Sequence, residues 1–170
     1  MPPSSKPLAG VKVVDLTVLL PGPMCTLHLA DMGADVIKVE NPGAWDPVRG
    51  LPGSQFSNQF LMLNRNKRAI TVNLRAADGQ DILRRLVKAA DVLVEGFRPG
   101  VADKLGVGYA AMSALNPRLV YCSISGYGQT GAMAQAGGHD INYECLAGVL
   151  EQTGVADGDP APGGFPSADL

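Results

Sequence analysis

The sequence has only three cysteines, Cys25, Cys122 and Cys145, widely spaced and with no C-x-x-C pair. That excludes a disulfide framework and a structural zinc site. It points to reduced thiols and a cytoplasmic setting. No apolar run is long enough to span a bilayer. The first residues, Met1-Pro2-Pro3-Ser4-Ser5-Lys6-Pro7, lack the apolar core of a signal peptide, so residues 1–7 read as a disordered tail. Positive charge is not in excess: 14 Lys and Arg stand against 16 Asp and Glu, a formal net charge of −2. General nucleic-acid binding wants a basic surface and is excluded on that ground, although a local basic patch is not. There are no internal repeats. Neither a G-x-G-x-x-G fingerprint nor a Walker A loop is present, which argues against NAD binding and ATP hydrolysis.

What is present is an ordinary globular balance, 46% hydrophobic and 18% charged over 170 residues, enough for one domain with a core. Short β-branched runs alternate with helical patterns. Val11–Leu16, Asp35–Glu40, Ala69–Leu74, Asp91–Glu95 and Leu119–Ser125 read as strands. Pro21-Gly22-Pro23 breaks the first run, and Pro23 suits the first turn of a helix from Met24 to Met32, with Gly33 just past its end. Asp78 is placed to cap a second helix, whose apolar face holds Ile82, Leu83, Leu86 and Val87. Helical stretches are also expected near Tyr109–Leu115 and from about Asp140 to Leu150. Asn41–Ser57 reads as loop. The whole is α/β with a mostly parallel sheet and flanking helices. The chain stops at Leu170 without a closing element, as a truncated chain would.

Ligands of open α/β sheets collect at the carboxyl ends of strands, and three features stand there. The turn Leu16-Thr17-Val18-Leu19-Leu20-Pro21-Gly22-Pro23 follows the first strand; it is either a ligand turn or a plain one. From Arg65 to Lys104 there are nine Lys and Arg against five Asp and Glu. Within this stretch Arg84, Arg85 and Lys88 read as a solvated helix face. Arg65, Lys67, Arg68 and Arg98 occupy loop positions suited to phosphate or carboxylate, though solvation accounts for them equally. The third feature is Gly137-Gly138-His139-Asp140-Ile141-Asn142-Tyr143 at the mouth of a helix, where unpaired N–H groups and the helix dipole favour negative charge. A neutral His139 there can take a proton from carbon while the adjacent N–H holds the oxyanion. Alternatively, His139 caps the helix or satisfies a core hydrogen bond, and Asp140 is merely an N-terminal carboxylate. His28, inside the first helix, reads as structural.

Several stretches in order resemble the class III CoA-transferase (CaiB/BaiF) family, which includes the α-methylacyl-CoA racemases. They are Asp15-Leu16-Thr17 with Pro21-Gly22-Pro23, Leu29–Glu40, Leu63–Arg68, Asp91–Gly100, Asn116–Tyr121 and Ser123–Gly131. The resemblance runs from about Leu8 to Leu170. It implies a Rossmann-like large domain, here the N-terminal part spanning 8–170, with the small domain and C-terminal return absent. It also implies an interlocked homodimer in the full-length protein. Coenzyme A enters as part of the acyl-CoA substrate. No tightly bound cofactor, metal, nucleic acid or membrane is implied. By the resemblance, CoA is contacted by Leu16, Thr17, Val18, Lys38, Arg65, Lys67, Arg68, Gly96, Phe97, Arg98 and Lys104. Two positions depart from the family: Lys38 is often Arg, and Gly96 is often Asn in the transferases.

Gly138-His139-Asp140-Ile141-Asn142-Tyr143 followed by Asp169 is similar to the racemase branch. That implies epimerisation of 2-methylacyl-CoA thioesters through an enolate, with His139 and Asp169 as bases on opposite faces of the α-carbon and the N–H of Asp140 as oxyanion donor. In the family the reacting Asp is supported by a Glu from a segment beyond residue 170, so the chain alone is expected to be inactive or nearly so. Two alternatives stand: CoA transfer between carboxylic acids through an acyl- or CoA-bound Asp169, and a non-catalytic CoA-binding fragment or split subunit.

Overall fold

The β-branched runs form the strands of one parallel sheet, and the amphipathic runs cover its faces. The computed structural model describes residues 6–50 and 57–170. Its order is β1 (Lys12–Asp15), α1 (Pro21–Asp31), β2 (Asp35–Glu40), a 3₁₀ turn (Pro47–Arg49), α2 (Asn58–Asn64), β3 (Lys67–Thr71) and α3 (Ala77–Lys88). There follow β4 (Val92–Glu95), α4 (Val101–Lys104), α5 (Tyr109–Leu115), β5 (Val120–Ser123), α6 (Asp140–Ala147) and a 3₁₀ turn (Leu150–Gln152). The five strands lie in the order β3-β2-β1-β4-β5, every pair parallel. The chain forms two compact units, Met1–Ile124 and Ser125–Leu170. From sequence, residues 8–170 were expected to be one piece.

In the first unit β1 is central and covered on both faces, so consecutive residues alternate between two cores. Val13, Val36 and Val94 pack with Ala30 and Ala34. Val14, Leu16, Val39 and Leu93 pack with Leu83 and Val87 of α3, Ala102 of α4 and Met112 of α5. Leu83 and Val87, four residues apart on one face of α3, are fully buried. Each such side chain contributes roughly 1.5–3 kcal/mol by leaving water.

Several sequence expectations shift. Lys67 and Arg68 lie in β3, not in a loop; β3 starts two residues earlier than expected, at an edge of the sheet where Arg68 faces solvent and Lys67 turns inward to Asp15. The expected loop 41–57 is interrupted by the turn Pro47–Arg49, capped by Asp46, and part of it lies outside the described residues. Ser57 caps α2, which the sequence reading left out. Asp78 sits in the first turn of α3 rather than capping it; Ala76 is the cap residue. His28 is exposed near the end of α1, so the structural role expected for it has no core contact behind it. Of the expected tail, residues 1–5 lie outside the described residues. Leu8 N–H donates to Met32 O, anchoring the chain from that point.

The second unit holds α6, the turn Leu150–Gln152 and an isolated bridge between Gly154 and Pro160. Among the described residues, no helix is long and apolar enough to cross a membrane and no cluster of three His, Cys, Asp or Glu side chains could hold a metal.

Candidate functional site

Strands β2 and β3 extend the sheet to one side of β1, and β4 and β5 to the other. The direction of the winding therefore reverses between β1 and β4, and it is outside the carboxyl ends of the strands at such a reversal that open α/β sheets bind ligands. The sequence-predicted residues Leu16, Thr17 and Val18 leave β1 there, and Gly96, Phe97 and Arg98 leave β4. The two turns touch: a Cβ on Gly96 would stand 3.8 Å from the Thr17 side chain. Leu16 and Thr17 are buried, whereas Val18 and Leu19 are exposed. Leu19 has φ 66°, a left-handed conformation unusual for a side chain of its size. Gly22 lets the start of α1 lie directly on Thr17, since a Cβ there would fall 2.2 Å from the Thr17 Cβ.

Beneath this turn is a buried charge network. The Asp15 carboxylate accepts from Thr17 N–H at 2.9 Å, Thr17 Oγ1 at 2.5 Å, Thr26 Oγ1 at 2.5 Å and Lys67 Nζ at 3.2 Å. Lys67 also donates to Pro23 O at 2.8 Å. Burial pulls the Lys67 ammonium below the usual lysine range, with nearby Asp15 opposing. Lys38 Nζ donates to Thr17 O at 2.8 Å and pairs with Asp46 Oδ2 at 2.9 Å, its side chain 1% exposed. Asp46 Oδ1 accepts the N–H groups of Leu19 at 3.1 Å and Val48 at 3.2 Å. The loop after β2 is thereby tied to the turn after β1, and the Asp46 contact holds Leu19 in its left-handed conformation.

The predicted cations are therefore not one cluster. Lys38 and Lys67 point inward, under the turn. Arg65 pairs with Asp31 at the end of α1 and Arg68 with Asp35 at the start of β2, both in exposed pairs toward the amino ends of the strands. Arg98 and Lys104 are exposed, Arg98 just beyond Gly96 and Phe97. Sequence reasoning missed Asp46 and Thr26, whose roles come from folding rather than from local pattern. Asp15 and Glu95 serve similarly: buried Glu95 accepts Phe97 N–H at 2.7 Å and the Ser123 hydroxyl.

In the second unit, His139 is the cap residue of α6, with extended backbone and an exposed side chain. Its N–H donates to Asn142 Oδ1 at 2.9 Å, and Asn142 N–H returns to His139 O at 2.8 Å. This fixes the helix start one residue later, at Asp140, whose N–H has no intrahelical acceptor. Asp140 Oδ1 accepts the N–H groups of Ala168 at 2.7 Å and Asp169 at 3.2 Å. One turn on, Glu144 Oε1 accepts the Ser167 hydroxyl at 2.7 Å. These bonds bring Asp169 to the mouth of α6, near enough to His139 for mutual electrostatic influence. Burial and the like charge of Asp140 push the Asp169 carboxyl above the usual range, and His139 opposes. Tyr143 stands beside them. Its ring meets Tyr127 edge-on at 5.2 Å and lies against Gly126 and Gly138, where a Cβ would fall 2.1 and 2.8 Å from it. Thus the structure brings His139, Asp140 and Asp169 together at the start of α6. Tyr143, the last residue of the same motif, joins them; Glu144 and Ser167 were not singled out, although the i, i+4 spacing of Asp140 and Glu144 placed both on one helix face.

A parallel sheet wound in both directions from β1, and a turn after β1 without the glycines of a pyrophosphate loop, defines a class of α/β ligand-binding chain. The comparison with known families narrows it: the model of CoA-transferase family III matches residues 8–170, and the chain belongs to that family. It is 44% identical over 171 residues to succinyl-CoA:glutarate CoA-transferase of Mus musculus, covering 98% of this chain and 39% of that protein. It is 42% identical over 154 residues to α-methylacyl-CoA racemase of Homo sapiens, covering 90% of this chain and 37% of that protein. Among solved structures, a CAIB/BAIF family protein from Brucella suis matches with a TM-score of 0.92 at 40% identity, covering 98% of this chain and 46% of that one. The chain thus spans less than half the length of these relatives. The family read from the motifs stands. Its racemase branch is not singled out, because relatives named CoA-transferases match at 40–44% identity.

Proposed function

We propose that the polypeptide carrying this chain acts on acyl-CoA thioesters and inverts the configuration of a 2-methylacyl group through an enolate. The supporting observation is the seating of Asp169 on the Asp140 carboxylate at the mouth of α6, where His139 caps the helix and acts electrostatically on the Asp169 carboxyl. A neutral imidazole removes the α-proton on one face, becoming imidazolium. The Asp140 N–H, in the first turn of the helix, stabilises the enolate oxygen. In the turnover that starts with a proton on Asp169, the carboxyl delivers it to the other face and is left as carboxylate; run in reverse, the carboxylate removes the α-proton and the imidazolium returns one. A positioned base contributes roughly 10²- to 10⁴-fold, and one oxyanion donor about 10²- to 10³-fold.

In this reading CoA enters as part of the substrate. Its nucleotide end lies between the turns at Val18 and Gly96, with Phe97 alongside and Arg98 and Lys104 meeting phosphate. Arg65 and Arg68 are further phosphate candidates if their exposed pairs open. Lys38 and Lys67 support the turn from below. The working form is a homodimer in the cytoplasm.

A second reading, CoA transfer between carboxylic acids with Asp169 as nucleophile, is favoured by the similarity to relatives that are CoA-transferases. The two part company in one experiment. A single epimer of a 2-methylacyl-CoA is incubated in deuterated water without an acid acceptor, and a parallel sample is quenched with hydroxylamine. Deuterium at the α-carbon with loss of optical purity supports inversion. An Asp169 hydroxamate without α-deuterium overturns inversion in favour of transfer. Saturable CoA binding with neither outcome overturns both.

A further inference from the structure

We propose that Glu144 is a positioning residue, which with Ser167 seats the Ser167–Asp169 turn so that the Asp169 carboxyl faces His139; this rests on the acid–base reading above. Asp140 and Glu144 are four residues apart on α6 and share a face. Between them they take three donors from one short segment: Ser167 Oγ on Glu144, and the N–H groups of Ala168 and Asp169 on Asp140. Glu144 is 5% exposed, and a buried carboxylate is retained only where a partner satisfies it. That partner comes from 23 residues away, two positions before the reacting carboxyl. The Leu170 N–H donates to Pro166 O at 3.1 Å, closing the same segment into a turn. Glu144 does not touch the reacting atoms. Its effect passes through the turn, which sets how deeply Asp169 is buried and how near it stands to Asp140, His139 and Tyr143, the titratable groups around it.

The test compares Glu144→Ala, Glu144→Gln, Ser167→Ala and the Glu144→Ala/Ser167→Ala double variant in the polypeptide carrying this chain. Amide hydrogen exchange at Ala168 and Asp169, the Asp169 titration followed by carbon NMR, and α-proton exchange of a 2-methylacyl-CoA are the readouts. Glu144→Ala and Ser167→Ala should each speed exchange of the two amides by roughly tenfold, as loss of a hydrogen bond to a charged group allows. Both should move the Asp169 titration down toward the ordinary carboxylate range. The double variant should do no more than either single one, because one bond is lost in all three. Glu144→Gln keeps an acceptor and should restore most of the protection. In turnover, kcat should fall with KM little changed. Ser167 is exposed, so its variant keeps the reading testable should Glu144→Ala unfold. Unchanged amide exchange and an unmoved Asp169 titration in Ser167→Ala would overturn the proposal. Absence of α-proton exchange in the wild type would instead overturn the acid–base reading, leaving the amide and titration readouts to decide the seating.

Discussion

Removing the Lys38 ammonium while leaving its partner in place should be among the costliest single changes in the first unit. Lys38 and Asp46 are 1% and 0% exposed at their side chains and 2.9 Å apart. Breaking such a pair from one side typically costs about 3–5 kcal/mol, because the remaining charge is left buried without its counterion. In Lys38→Met, Asp46 keeps the N–H groups of Leu19 and Val48, which places the expected loss near the lower end, about 3 kcal/mol. For a chain of this length that corresponds to a fall of roughly 6–12 °C in melting temperature. Lys38→Met/Asp46→Leu removes both charges. Leu19 is exposed, so water can meet its freed N–H, and the double variant should recover most of the loss. Trp45, the sole tryptophan, adjoins Asp46 and packs by its ring against Arg49, so its fluorescence in urea reports the region directly. A loss below about 1 kcal/mol in Lys38→Met, the range of an exposed pair, would refute the reasoning and restore Lys38 to the candidates for direct ligand contact.

Four further outcomes follow from the same geometry. Asp140→Asn keeps an acceptor for Ala168 and Asp169 but removes the like charge, so Asp169 should lose its proton at lower pH, seen as a downward shift of its carbon NMR titration. Asp169 itself, raised above 3.8, contributes stability below that value that is lost as pH rises through its folded value; Asp169→Asn should abolish this slope in urea titrations. Lys67 is shifted the other way for a base, below 10.5, so the unfolded chain holds its proton more tightly and stability should rise with pH in the window just under 10.5; Lys67→Met should flatten that rise. Gly22→Ala should destabilise by at least about 1–3 kcal/mol, the ordinary cost of overpacking, and weaken CoA binding, since the clash falls on the Thr17 Cβ rather than on a flexible side-chain end.

The parallel sheet was legible because its strands carry their own signal. Asp35–Glu40 carries three β-branched residues, Val36, Ile37 and Val39, and forms β2 with those bounds, and Tyr109–Leu115, stopped by Asn116-Pro117, forms α5. Helix α2 escaped because only Phe60 and Leu63 of its seven residues are buried, too short a stripe to show a period. Lys67 and Arg68 were read as loop because a basic pair looks wrong in a core strand, yet they start an edge strand. The inward turn of Lys38 was half legible, since Val36, Lys38 and Glu40 share one face of β2. What it meets there was not, because Asp46 arrives from a loop and Thr17 from another strand's end. At the mouth of α6, His139 and Asp140 were found by their place before a helix. Asp169 was found through family resemblance alone, and the bonds that seat it join residues 23 to 29 positions apart, beyond the reach of local pattern.

The central claim is that His139 and Asp169 serve opposite faces of one carbon. It is tested most directly by following deuterium entry into each epimer of a 2-methylacyl-CoA separately, in the wild type, His139→Ala and Asp169→Asn. We predict that each variant loses exchange from one epimer by roughly 10²-fold or more while retaining much of it from the other, and that the two variants fail on opposite epimers. Equal retention of exchange from both epimers in His139→Ala, or the same epimer failing in both variants, would contradict it.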